Sequence, residues 1–264
     1  MNISRIDWDN FIRKMRQINE AAAEELKEWV ETWGRDENGN MLLHLGDAVD
    51  AFDRDIVEAA NAIVQKYSDA SAATAADMYD AMAEFEGKVV PAAEMAESPP
   101  FWEVRKTVEG TLKTSQNIDE LASAVSRLVK RTGVDTTIQN AIRDGAQFAW
   151  IPQGDTCAFC LALASRGWQY ASKKALKNGH AEHIHSNCDC TYAVRFNDDT
   201  NVQGYTPDRY LRMYNATDDT PKEKINAMRR DFYAENKEEI NAQKRSAYEK
   251  RKERESSSAE ELNI

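Results

Sequence analysis

The chain has 264 residues, of which 42% are hydrophobic and 30% charged, and its formal charge is −11. That is apolar material for one core or two small ones. No run approaches the roughly 18 apolar residues of a membrane span, and the opening MNISRIDWDN lacks the apolar stretch of a signal peptide. A soluble protein made in a reducing cytosol is expected, where four cysteines hold metal more readily than they form disulfides. The charge is uneven. From Pro221 to Arg254 eleven Lys/Arg stand against seven Asp/Glu, a local +4 that leaves −15 on the rest. An acidic body argues against broad nucleic-acid binding, which rests on neutralising phosphates. The basic tail can contact DNA or an acidic partner, or can be a solvated helix face.

In chain order, the first two thirds read as helices. Trp8, Phe11, Met15, Ile18, Ala22, Leu26, Trp29 and Trp33 recur three or four apart, one apolar stripe on a long helix that Gly34 and the polar run 35–40 end. A second stripe, Val49, Phe52, Ile56, Ala60, Ile63 and Tyr67, continues into an alanine-rich stretch from Ala70 to Phe85 whose small residues let helices approach closely. Pro91 and Ser98-Pro99-Pro100 break the chain. Helical spacing returns at Leu121, Val125, Leu128 and Val129, with Asn117 and Glu120 placed as a capping box, and a last helix of the block is predicted from about Asp135 to Phe148.

From Trp150 glycines, a proline and all four cysteines appear within about forty residues, and Thr191–Phe196 (TYAVRF) alternates like a short strand. After a polar turn at Asn197–Gly204 a helical tail follows, with Thr220 as N-cap, Pro221 at the first helical position and Glu223 closing a capping box. Its later half has few anchors beyond Phe232, Ile240 and Tyr248, and Glu255–Ile264 is expected to be disordered. The expected fold is mainly α with a small α+β zinc-binding subdomain. The expected division is a helical body over 1–149, a Cys/His subdomain over 150–200 and a charged helical tail over 201–264.

Every cysteine falls in the pattern Cys157-x2-Cys160-x24-His185-x2-Cys188-x-Cys190. A CxxC turn brings two thiolates together, as in the knuckle of a tetrahedral zinc site. In an extended CxC the two side chains point to one side, so Cys188 and Cys190 can both ligate. His185, about one turn before Cys188, can replace either. Four ligands from these five candidates would close the coordination sphere, which marks a structural Zn2+ rather than a catalytic one. Four unrelated buried cysteines would rarely fall within 34 residues. A disulfide pair suits a secreted chain, and a redox CxxC needs a preceding strand in a βαβ unit. His180-Ala181-Glu182 matches the HxE of zinc deaminases, but there HxE precedes the CxxC and here it follows. His180 and His183 are therefore read as loop residues and Glu182 as solvated.

The stretch GDTCAFCLALASRGWQY, followed by HSNCDC and a short strand, resembles the phage minor head proteins related to the F protein of phage Mu. The matching residues are Cys157, Cys160, Gly167, His185, Cys188 and Cys190, and VQKYSDASAATAADMYDAM resembles the alanine-rich helix preceding this domain in actinobacterial-phage members. The similarity covers roughly residues 40–200. Ser186 stands where many members have proline, and Asp189 where they have arginine, which removes a positive charge beside the metal. The resemblance implies a non-enzymatic head-morphogenesis protein inside the capsid at the portal vertex. Its implied partners are the portal protein and major capsid or scaffold protein, with DNA contact through the basic tail. Two other readings stand beside it: an HNH-type nuclease using His180, His183 and Asp189, and a zinc-ribbon module that binds protein or nucleic acid.

Overall fold

The structure, a computed structural model, describes residues 2–3, 5–34, 51–115, 117–172, 191–216 and 220–261. The elements run β1 (Asn2–Ile3), α1 (Arg5–Trp33), α2 (Ala51–Phe85), α3 (Phe101–Thr114), α4 (Ile118–Asp144), β2 (Gln147–Ile151), α5 (Ala158–Ala164), β3 (Gln169–Tyr170), β4 (Thr191–Arg195), β5 (Asn201–Val202), α6 (Pro207–Tyr214) and α7 (Pro221–Glu261). The protein is mainly helical with small sheets, as the periodicity predicts. Contacts group the described residues into two compact units. One takes the chain up to Phe148 with Trp168–Ser172 and Tyr192–Tyr205; the other takes Ala149–Gly167, Thr191 and Thr206 onward.

In the first unit α1, α2, α3 and α4 bury one core. Ala22, Leu26 and Val30 of α1 meet Ile56, Val57, Ala60, Ile63 and Val64 of α2, Val104, Val108 and Leu112 of α3, and Leu121, Val125, Leu128 and Val129 of α4. Each fully buried Leu, Ile or Val contributes roughly 1.5–3 kcal/mol relative to exposure. The α1 stripe forms as predicted except at its end. Val30 takes the last inward place, while Trp33 is 64% exposed. Phe52 of the second stripe and Val49 lie outside the described side chains. The alanine-rich stretch belongs to the same helix, and Ala72, Ala75, Ala76 and Ala83 are buried along it.

Three expectations are corrected here. A helix, α3, follows the proline cluster directly, with Pro100 at its N-cap. The predicted break before Asp135 does not occur: α4 runs unbroken through Gly133 and stops at Gly145, whose φ of 68° ends the helix in the left-handed region. Phe148, expected in that helix, lies in strand β2. At the start of α4 Asn117 accepts a hydrogen bond from Asp119 N at 2.8 Å, and its own N–H goes to Ser115 Oγ at 3.1 Å, so the reciprocal half of the capping box is taken by serine.

Gly133 lies inside this unbroken helix for a packing reason. A Cβ there would lie 2.7 Å from Met15 Cε and Ser71 Oγ and 3.0 Å from Tyr192 Oη. The glycine lets α1, α2 and β4 close around α4. Tyr192 then stacks on Phe148 at 5.8 Å between centroids and meets Phe11 edge-on at 6.1 Å.

The segment 88–100 has no regular structure, yet side chains of α2 and α4 satisfy its backbone. Ala93 N donates to Asp80 Oδ1 at 2.9 Å and Ala96 N to Thr136 Oγ1 at 3.0 Å. Glu94 N donates to Asn140 Oδ1 at 3.0 Å, and Asn140 Nδ2 returns a bond to Glu94 O at 2.8 Å. Arg143 and Gln65 hold Pro91 O and Pro99 O, each at 2.8 Å. The segment is thus a strap laid over two helices.

Two small sheets complete the unit. β1 pairs with β5 in parallel, Asn2 opposite Asn201 and Ile3 opposite Val202. The other sheet has the order β3-β2-β4, with Gln147 opposite Tyr170 and Phe148 opposite Gln169 in antiparallel register. The strand predicted over 191–196 is β4, but its five residues are all buried rather than alternating. Arg195 is accommodated because its guanidinium is fully used. Nε donates to Gln147 Oε1 at 2.7 Å, one terminal nitrogen donates to Asp198 O and Thr200 O at 3.0 Å each, and the group lies 4.7 Å from the centre of the Trp168 ring.

In the second unit α5, α6 and α7 pack together. The tail begins with the predicted capping box: Thr220 N and Oγ1 donate to Glu223 Oε2 at 3.1 and 2.6 Å. Ala227, Met228, Phe232 and Ile240 are its buried anchors, while Tyr248 is 64% exposed. The helix continues to Glu261, so the expected disorder from Glu255 is replaced by helix over most of that stretch.

Candidate metal centre

The near half of the Cys/His pattern is built by a turn feeding a short helix. Gly154, at φ 52°, turns the chain, and Thr156 N donates to Gly154 O at 2.9 Å. Thr156 is fully buried, with its hydroxyl on Gln153 O at 2.8 Å. Cys157 is then the N-cap of α5. Its Sγ accepts from Cys160 N at 3.3 Å, and its carbonyl accepts from Leu161 N at 3.1 Å. Cys160 is buried and Cys157 half-buried. A sulfur that accepts a backbone N–H from the residue three further on is oriented by the backbone, as second-shell bonds orient metal ligands. The buried Leu161, Leu163 and Ala164 seat the helix, and Gly167, at φ 66°, ends the segment with its Cβ position 3.2 Å from Pro207 Cβ.

The strongest electrostatic feature nearby was not legible in the pattern. Asp155 pairs with Arg229, and with Lys244 Nζ at 2.8 Å, both from α7. Burial works against ionisation of this carboxyl, but Lys244 and Arg229 outweigh it and hold its pKa below the usual carboxylate range. Tyr233 lies 5.8 Å from each cation. The cluster ties the turn before Cys157 to the tail helix.

Of the five predicted ligands, Cys157 and Cys160 are brought together. His185, Cys188 and Cys190 lie outside the described residues, as do His180, Glu182, His183, Ser186 and Asp189. Among the described residues no group of three or more His, Cys, Asp or Glu is placed to hold a metal ion. Two soft sulfur donors, one of them oriented by an N–H, fit half of a tetrahedral zinc site. Among the described residues no helix is long and apolar enough to cross a membrane.

The architecture is thus that of a mainly helical protein with small sheets and a CxxC turn that caps a short helix. The model of the VG15 protein family matches residues 2–217, a span that takes in the helical body, the strands and the whole Cys/His pattern. The chain belongs to the VG15 protein family, and it is a phage protein. No curated protein and no solved structure matches it.

Proposed function

We propose that this chain is a structural minor head protein of the Mu F-like kind, acting in head morphogenesis at the portal vertex, inside the capsid and without catalysis of its own. In this reading Cys157 and Cys160, with two of His185, Cys188 and Cys190, hold one structural zinc ion. The observation that carries it is the knuckle geometry, Cys157 Sγ accepting Cys160 N–H at 3.3 Å, within a chain of a phage family. Four protein ligands would leave no open position for substrate. Such an ion contributes its binding free energy directly to folding. It would secure a segment whose own helix, α5, has only seven residues. The long amphipathic helices offer faces to portal, major capsid or scaffold protein, and the basic stretch of α7 offers a contact to packaged DNA.

Metal analysis of the purified chain tests the site: one zinc per chain is expected, lost in Cys157→Ser and Cys160→Ser. A metal-free, fully folded wild type overturns the zinc assignment. Co-expression with the portal protein of the same phage, followed by mass spectrometry of proheads and virions, tests the role. Absence from both particles, with no co-purification, overturns it.

A further inference from the structure

The exposed face of α3 carries a second candidate site, independent of the cysteines. Trp102, Arg105, Lys106, Glu109, Gly110 and Lys113 line an open groove of about 310 Å³ along this helix. Trp102 presents 64% of its surface to solvent, unusual for the largest apolar side chain. The carboxylates of the helix are already spoken for. Glu103 is held by Arg131 of α4 through two hydrogen bonds, and Glu109 accepts from Arg105 Nε at 2.6 Å. Lys106 and Lys113 form no hydrogen bond or ion pair among the described residues. The half-buried Arg127 of α4, beside Glu103 and Arg131, forms none either. In a chain of net charge −11 this is a local surplus of positive charge.

Gly110 adds a separate observation. It sits inside a helix, where glycine is the poorest choice after proline. No neighbour demands it: a Cβ built there meets nothing within 4 Å. Its effect is to leave the floor of the groove bare between Lys106 and Lys113, which lie about 10 Å apart along the axis at 1.5 Å per residue. A bare helix backbone flanked by cations admits a close-lying polyanion. An exposed indole at one end admits a flat ring. Together these are the elements of single-strand recognition, a basic track with an aromatic stacking platform. The acidic body does not forbid this, because charges beyond about 8 Å are largely screened at physiological salt.

We infer that the Trp102–Lys113 face of α3 binds a short stretch of single-stranded nucleic acid, with one base stacked on Trp102 and phosphates on Lys106 and Lys113. The contact is weak and salt-sensitive. The test is anisotropy of a fluorescein-labelled twelve-residue oligothymidylate against the full chain, between about 50 and 200 mM salt. With two phosphates neutralised, the slope of log K on log salt is expected to be about −1.4, at about 0.7 per phosphate. Lys106→Ala and Lys113→Ala each flatten the slope by about 0.7. Trp102→Ala weakens binding about tenfold and leaves the slope unchanged.

Gly110→Leu separates binding from folding. It raises the thermal midpoint, because leucine is the better helix former and meets open space, yet it removes binding by filling the groove. Lys14→Glu with Arg16→Glu, two exposed cations of α1, leaves binding as it was. Any of four results overturns the inference: no binding at 50 mM salt, full affinity in Trp102→Ala, loss of binding on changing only those α1 cations, or polyglutamate competing as well as oligothymidylate. The last would make the groove a seat for an acidic protein segment.

Discussion

Replacing Asn140 by leucine removes the amide that clasps the 88–100 strap while keeping the number and branching of the side-chain heavy atoms. Asn140 is 1% exposed and makes two bonds to the strap, accepting from Glu94 N at 3.0 Å and donating to Glu94 O at 2.8 Å. Hydrogen bonds of this kind are worth about 0.5–1.5 kcal/mol each, so losing both costs about 1–3 kcal/mol. Glu94 faces solvent, and water can satisfy its backbone once released, which favours the lower half of that range. The third bond, Asn140 Nδ2 to Thr136 O at 2.7 Å, is also lost, but a helical carbonyl there has its own ladder partner. Native-state hydrogen exchange is the assay. At about 1.4 kcal/mol per factor of ten, protection of the Glu94 amide falls about tenfold, with Ala93 and Ala96 following, while amides of α4 around Leu128 keep nearly all of theirs. Unchanged protection at Glu94, or an equal loss at Leu128, would refute the view of the strap as a separately opening unit held by this asparagine.

The other predictions concern the core and its charges. Gly133→Ala places a methyl 2.7 Å from Met15 Cε and Ser71 Oγ; overpacking of about 1–3 kcal/mol outweighs the roughly 1 kcal/mol gained in helix propensity, and the urea midpoint drops. Arg195→Lys keeps the charge but gives up the bonds to Gln147 and the 198–200 turn and the stacking on Trp168, an expected loss of about 2–4 kcal/mol in urea unfolding. Acid weakens the first unit. The hydrogen bond from Arg131 holds Glu103 below its usual pKa, and Arg143 with Tyr79 does the same for Asp144. A depressed native pKa gives stability that is present above the ordinary carboxylate range and is lost as pH falls through the native values. Urea midpoints should therefore decline below about pH 4.5, less steeply in Glu103→Gln, and an identical pH profile in that variant would discard the assignment.

Much of the helical body was legible because amphipathic periodicity reports burial directly. The errors have physical causes. Trp33 continues the spacing of Trp29, but a straight helix turns 3.6 residues per cycle, so the stripe drifts and Val30 takes the inward place. Helix α3 was hidden because only Val104, Val108 and Leu112 anchor it, and the three lie among charges just after two prolines. The separate helix expected from about Asp135 is part of α4, and only the close approach of Met15, Ser71 and Tyr192 shows why glycine is retained inside it at Gly133. In TYAVRF the arginine suggests an exposed face, whereas its partners at 147, 198 and 200 let it be buried. At the candidate site the CxxC spacing was visible and its N-capping role was not. The Asp155–Arg229 pair, 74 residues apart, leaves no mark on any local pattern.

The parallel pairing of β1 with β5 has a consequence for synthesis. Asn2 and Ile3 leave the ribosome well ahead of their strand partners, Asn201 and Val202, 199 residues further along the chain. At about 5–20 residues per second that is a wait of about 10–40 s. Helix α1 follows β1 immediately, so its apolar stripe emerges early and must find α2 and α4 before the unit can be closed. The β1–β5 pairing therefore acts as a latch on the first unit that fastens only after its four helices have been made, and a ribosome-bound chain stopped short of residue 202 cannot set it.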